Sequence, residues 1–165
     1  MPRRLARYVG HPEPQLHKTC SKRRPNVHRN PTGEEIKDLL ESSRNIAVVG
    51  LSDSPYRTSH AIARFLQNAG YRIFPVNPNL TGPVLGEEPY ATVEEIPETV
   101  DIVDVFRRSE LTPPVARDAV AAGAKSIWLQ LGVYNEETAR YAREHGLTVV
   151  MDRCIKVDHA ALVRR

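Results

Sequence analysis

Long apolar runs are missing from this chain of 165 residues. None approaches the roughly 20 residues a helix needs to cross a bilayer. The N-terminus has no apolar segment of the secretory type. Cysteine is scarce: Cys20 and Cys154 offer no disulfide framework, so a reducing cytoplasm is the expected setting. The dinucleotide fingerprint Gly-x-Gly-x-x-Gly is missing too, because Ser52 and Pro55 stand where the second and third glycines would be. There is no Walker loop and no Gly-x-Ser-x-Gly elbow. His17, Cys20 and His28 fit no zinc spacing, and no metal site is expected. A broadly basic surface is also excluded, although the net charge is +3. Eight of the 23 Lys and Arg residues, with only Glu13 against them, lie in residues 1–30. The rest of the chain is mildly acidic, and no specific nucleic-acid or membrane partner is implied.

Residues 1–31 hold five prolines and no hydrophobic periodicity, and they read as a basic, disordered extension. From Thr32 the character changes, and residues 32–165 read as one domain. Thr32-Gly-Glu-Glu35 is a capping box, followed by Ile36, Leu39 and Leu40 at helical spacing. Apolar runs predict strands at 46–49, 71–76, 102–106, 126–129 and 148–151, each continuous as strands buried on both faces are. Between them, helices are predicted at 58–68, 111–122 and 135–144, with a short one from Val157. Gly70, Gly123 and Gly146 each end a helix before a strand, and Pro113 and Pro114 suit a first turn. This alternation is counted as five βα units. It predicts an α/β fold with a doubly wound, mainly five-stranded parallel sheet and helices on both faces.

In such a sheet ligands sit beyond the C-terminal strand ends. Asn45-Ile-Ala-Val-Val-Gly50 runs into a glycine turn that opens a helix, the geometry of a phosphate cradle of backbone N–H groups. The other strand ends supply Pro75-Val-Asn-Pro78, Arg107 and Arg108, Gln130-Leu-Gly132, and Asp152 to Lys156. An NAD site would want an acid after the second strand, and an NADP site a cation there; neither is present. Arg57, Arg107, Arg108 and Lys156 instead suit a ligand with several phosphates. His60, His145 and His159 do not follow strands, and no catalytic constellation is found. Trp128 and Phe106 are expected in the core.

Gly50-Leu-Ser52, Pro75 to Pro78, Asp101-Ile-Val-Asp-Val-Phe-Arg-Arg108, Trp128-Leu-Gln-Leu-Gly132 and Met151-Asp-Arg-Cys-Ile155 resemble, in order and spacing, the stand-alone CoA-binding proteins. Their Rossmann-like fold is similar to the N-terminal domain of the succinyl-CoA synthetase alpha subunit. The resemblance covers the chain from about Thr32 and implies coenzyme A, or an acyl-CoA, as ligand of a non-catalytic binding module. On that reading Gly50, Leu51, Ser52 and Ser54 hold the pyrophosphate, with Arg57 and Arg107 as cationic partners. Pro75, Val76 and Asn77 shape the adenosine slot, and Val105 and Phe106 pack near the adenine. Gln130 and Gly132 flank the pantetheine arm. A β-branched residue at Gly50 is expected to block ligand approach and leave the core intact. Cys154 follows the fifth strand and is either an inert packed residue or a thiol within reach of CoA's own. Two other classes stay open: an NAD(P)-dependent oxidoreductase, and a CoA-sensing subunit of an acyltransferase or ligase with a protein partner that the sequence does not name.

Overall fold

The structure, a computed structural model, describes residues 28–163. Most of the basic extension lies outside the described residues, with His17 and Cys20. Five parallel strands form one sheet: β1 (Asn45–Val49), β2 (Arg72–Val76), β3 (Ile102–Val105), β4 (Ser126–Leu129) and β5 (Thr148–Val150), in the order β2-β1-β3-β4-β5. The helices are α1 (Gly33–Ser42), α2 (Thr58–Asn68), α3 (Thr112–Ala121), α4 (Glu136–Glu144) and α5 (Ile155–Leu162). This is the doubly wound architecture expected, with element ends moved by a residue or two. The last helix begins at Ile155 rather than Val157, because Cys154 already serves as its N-cap.

The strand sequences alternate between two packed faces. Ala47, Val49, Val103, Val105, Ile127 and Leu129 lie under the small residues Ala116, Ala119, Ala139 and Ala142 of α3 and α4. Ile46, Val48, Ile73, Ile102, Trp128 and Val150 lie under Ile36 and Leu40 of α1, Ile62 and Leu66 of α2, and Ile155 of α5. Trp128 and Leu129 are fully buried, and the Trp128 indole N–H donates to the Arg153 carbonyl at 2.8 Å.

The capping box forms as read: the Thr32 N–H donates to Glu35 at 2.7 Å, and the Glu35 N–H donates back to Thr32 Oγ1 at 3.3 Å. Both ends of the first turn's polar groups are thereby satisfied. Pro75 sits in β2, an edge strand, where a residue without an N–H is tolerated.

One expectation needs correction. The connection from β2 to β3, residues 77–101, contains no helix, so the five strands do not make five βα units. Pro78, Pro83, Pro89 and Pro97 break any helical run there. The segment is held by other means: the Tyr90 N–H donates to the Pro75 carbonyl, and the Asp118 carboxylate accepts from the Val93 and Glu94 N–H groups. Residues just before α1 also make hydrogen bonds to the rest of the chain. Asn30 pairs with the backbone of Met151 just past β5, donating Nδ2–H to its carbonyl at 2.8 Å and accepting its N–H at 2.7 Å. The His28 N–H reaches the Glu136 carboxylate at 3.1 Å. His28 and Asn30 are thus tied to α4 and to the end of β5.

Candidate functional site

The order β2-β1-β3 places the topological switch between β1 and β3, where connections leave in opposite directions. The loops after these strands meet at the switch. The Phe106 N–H donates to the Val49 carbonyl at 2.8 Å, and the Gly50 N–H to the Val76 carbonyl at 2.8 Å. Gly50 has φ +82°, and a Cβ there would lie 2.5 Å from the Phe106 carbonyl oxygen. The glycine is required by the protein's own backbone, and this corrects the expectation that only ligand approach depends on it.

The turn after Gly50 also differs from an open cradle. The Ser52 N–H donates to Ser59 Oγ, the Ser54 N–H to Ser52 Oγ, and the Arg57 N–H to the Ser54 carbonyl. Its serines thus hold the loop in shape. What is left for an anion is the start of α2. Arg57 supplies no side-chain cap, and the first turn carries no acid. α1 and α4 differ, the first with a capping box and two glutamates and the second with an Asn135 cap and two glutamates, whereas α3 also starts without a side-chain cap or an acid. An uncapped, acid-free helix start is the end most favourable to a negative ligand.

Beside it lies an open cavity of about 540 Å³, lined by Thr58 and Ile62 of α2, Phe106 to Arg108 after β3, Gln130 to Val133 after β4, and Cys154. A second cavity of about 350 Å³ lies toward β2, with Val49, Val76, Pro78, Pro114 and Asp118 among its walls. Arg107 lines both. It is half-buried and makes no ion pair among the described residues, whereas Arg108 pairs with Glu110 at 3.5 Å. Lys156 lies over the Phe65 ring, and Arg57 is exposed.

The predicted residues divide among these features. Phe106, Arg107, Gln130 and Gly132 share the larger cavity, and Val76 and Arg107 share the smaller. Phe106 lines the larger cavity with Gln130 and Gly132 and not the smaller one with Val76. Leu51 and Val105 have no exposed surface, belong to the cores on opposite faces of the sheet and line neither cavity. Pro75 is buried in β2. The Asn77 amide donates to the Leu51 carbonyl at 2.9 Å and accepts from the Asn79 N–H, tying β2's end to the turn after β1. Gly132 donates its N–H to Asp152 at 2.7 Å, which closes the rim. Sequence reasoning did not assign Thr58, Ile62, Leu131 or Val133 to the site. Their signal was position after a strand or on α2's inner face. Leu131 is 70% exposed on the cavity rim, unusual for a residue of its type.

Sequence reasoning also passed over Asp104, an acid in the middle of the apolar strand β3 with no exposed surface. It accepts from Gln130 Nε2 at 2.7 Å, while its Oδ2 has no partner. Burial pushes its carboxyl up to about 7, against the partial help of Gln130 and the Val105 N–H.

The family described as CoA binding domain matches residues 44–160. The chain belongs to this CoA-binding family. The matched span encloses the crevice, both cavities and Cys154, and begins after the basic extension. Within the family, the chain is 48% identical to the uncharacterized protein YneT of Bacillus subtilis over 132 residues, 80% of this chain and 97% of that one. A hypothetical protein from Pyrococcus horikoshii has the same fold with a TM-score of 0.79 and 35% identity, over 83% of this chain and 98% of that one. A dinucleotide-forming acetyl-coenzyme A synthetase from Ca. Korarchaeum cryptofilum aligns with a TM-score of 0.61 and 27% identity, over 70% of this chain but only 28% of that enzyme. The chain thus spans little more than a quarter of the length of that synthetase.

Proposed function

We propose that the chain is a binding module that holds coenzyme A or an acyl-CoA in the crevice between the ends of β1 and β3, in the cytoplasm and without a catalytic set of its own. The observation that carries this is Arg107, unpaired and shared by two cavities inside the span of the CoA-binding family. CoA is a two-ended ligand joined by phosphates. Its nucleotide end suits the smaller cavity beside Val76, its phosphates suit Arg107 and the start of α2, and its pantetheine arm suits the larger cavity. An NAD(P) oxidoreductase fits less well. The place of the ribose acceptor after β2 is held by Asn77, whose amide is committed to Leu51 and Asn79.

Calorimetry of the full chain against CoA, acetyl-CoA, NAD, NADP and ATP tests the reading. CoA is expected to bind at least about tenfold more tightly than NAD, a difference near 1.4 kcal/mol. Equal or tighter binding of NAD would overturn it.

The position of the pantetheine tip gives a second test. Cys154 is half-buried, caps α5 and lines the larger cavity with Gln130 and Gly132. A thiolate there can attack CoA disulfide, forming a Cys154–CoA disulfide and releasing one CoA thiolate. Intact-mass measurement after incubation with CoA disulfide is expected to show one adduct that a reductant removes and that Cys154→Ser abolishes. Modification confined to Cys20 would place the tip elsewhere.

A further inference from the structure

Gln130 is only 5% exposed, yet it lines the larger cavity. A side-chain amide has a donor end and an acceptor end, and whichever end a buried partner takes, the other is left for the cavity. Here Nε2 donates to Asp104, and Oε1 accepts no hydrogen bond from the described residues. Asp104 lies between Val48 and Trp128 in the sheet, so its carboxylate cannot move far. An ionised carboxylate only accepts hydrogen bonds, whereas a protonated one also donates.

We propose that Asp104 is a positioning residue that sets which end of the Gln130 amide meets the ligand. With Asp104 ionised, Oε1 faces the cavity and accepts an amide N–H of the pantetheine arm. With Asp104 protonated, its O–H donates to Oε1, the amide turns over, and an NH₂ group confronts the ligand's N–H. The inference rests on the CoA reading and adds to it a specificity determinant and a pH dependence.

The surroundings favour this exchange. The elements over this face are α1, α2 and α5. α1 turns Ile36 and Leu40 inward. The buried ionisable groups of the others are His60 on α2 and Asp158 and His159 on α5, with Cys154 at that helix's start. Asp158 is held by Arg153, and His159 packs edge-on against Phe65 and Tyr71. Neither β1 nor β4 brings an ionisable side chain, and Arg107 stands at the cavity wall. Burial and the Gln130 bond therefore dominate, and Asp104 changes charge near neutral pH.

The test is CoA affinity by calorimetry at pH 6, 7 and 8 for the full native chain and for Asp104→Asn. The ligand's phosphates titrate equally in both, so the comparison isolates Asp104. If only the ionised form binds well, the binding-competent fraction falls about tenfold from pH 8 to pH 6. The native chain is expected to weaken by about that factor more than the variant. Identical pH profiles would overturn the proposal. A second measurement needs no variant: the Asp104 carboxyl carbon, titrated by NMR, is expected to show a midpoint that falls by about one unit when CoA is bound. An unmoved midpoint would overturn the proposal and leave the CoA reading standing. Absence of CoA binding at every pH would overturn both.

Discussion

Between pH 4 and pH 8 the Asp104→Asn variant is expected to gain about 4 kcal/mol of stability over the native chain. The ordinary carboxyl value of 3.8 holds in the unfolded chain, and the folded value is about 7. Below 3.8 both states carry the proton, and the carboxyl costs nothing extra. Between the two values the unfolded chain has lost its proton and the folded chain keeps it, so native stability falls as pH rises. Above 7 both are ionised and the loss is complete. Each unit is worth about 1.36 kcal/mol, and a separation near three units gives the figure of about 4 kcal/mol. Asparagine has the same shape and no such dependence. Urea unfolding at pH 4, 6 and 8 measures the difference between the two proteins. A difference that stays flat would mean that the carboxylate is hydrated or paired in solution. Asp101, just before the same strand, goes the other way. Burial raises it, but Lys125 at 2.6 Å and the Arg44 and Asn45 N–H groups bring it below the ordinary range. Two acids three residues apart thus respond oppositely because Asp101 has a lysine and two backbone N–H groups at hand, whereas Asp104 is fully buried without a cation beside it.

Gly50→Val is expected to lose about 4 kcal/mol of stability and to weaken CoA binding by well over tenfold. Left-handed backbone at a non-glycine residue costs about 1–3 kcal/mol, and a β-branched residue lies at the upper end. The added Cβ then meets the Phe106 carbonyl oxygen at 2.5 Å and its carbon at 3.2 Å. Both are backbone atoms and cannot swing aside. Relief requires the ends of β1 and β3 to part, and the Phe106–Val49 hydrogen bond with them. That separation opens the crevice floor, so stability and ligand affinity fall together. Urea unfolding and calorimetry on one preparation report both. A variant of native stability that had lost only binding would instead show that Gly50 serves ligand approach alone.

The elements were legible because each carries its signal within a few residues. Ile46 to Val49 and Ile102 to Val105 read as buried strands from their apolar runs, and Thr32 with Glu35 marks a helix start by two hydrogen bonds made locally. The crevice was legible at the same level, since in a doubly wound sheet any residue just past a strand stands at the ligand edge. Finer placement was not. Phe106 and Val105 are neighbours in sequence, but one lines a cavity and the other is core, because successive strand residues face opposite sides. Asn30 looked like part of a polar extension, since its two partners on Met151 lie 121 residues away.

By itself the sequence determined the α/β class, the parallel sheet, the absence of a dinucleotide fingerprint and the kinship with CoA-binding proteins. All of these depend on composition, periodicity and short motifs. Only the tertiary structure decided that Gly50 answers to Phe106, 56 positions on, that Arg107 divides two cavities, and that Asp104 and Gln130 meet across 26 residues. Such pairings are set by which strands lie side by side, and the order β2-β1-β3-β4-β5 is written in no single stretch of the chain. The charge state of Asp104 follows the same rule: its chemical identity is local, but the burial that moves its proton is made by β1, β4 and the helices packed over them.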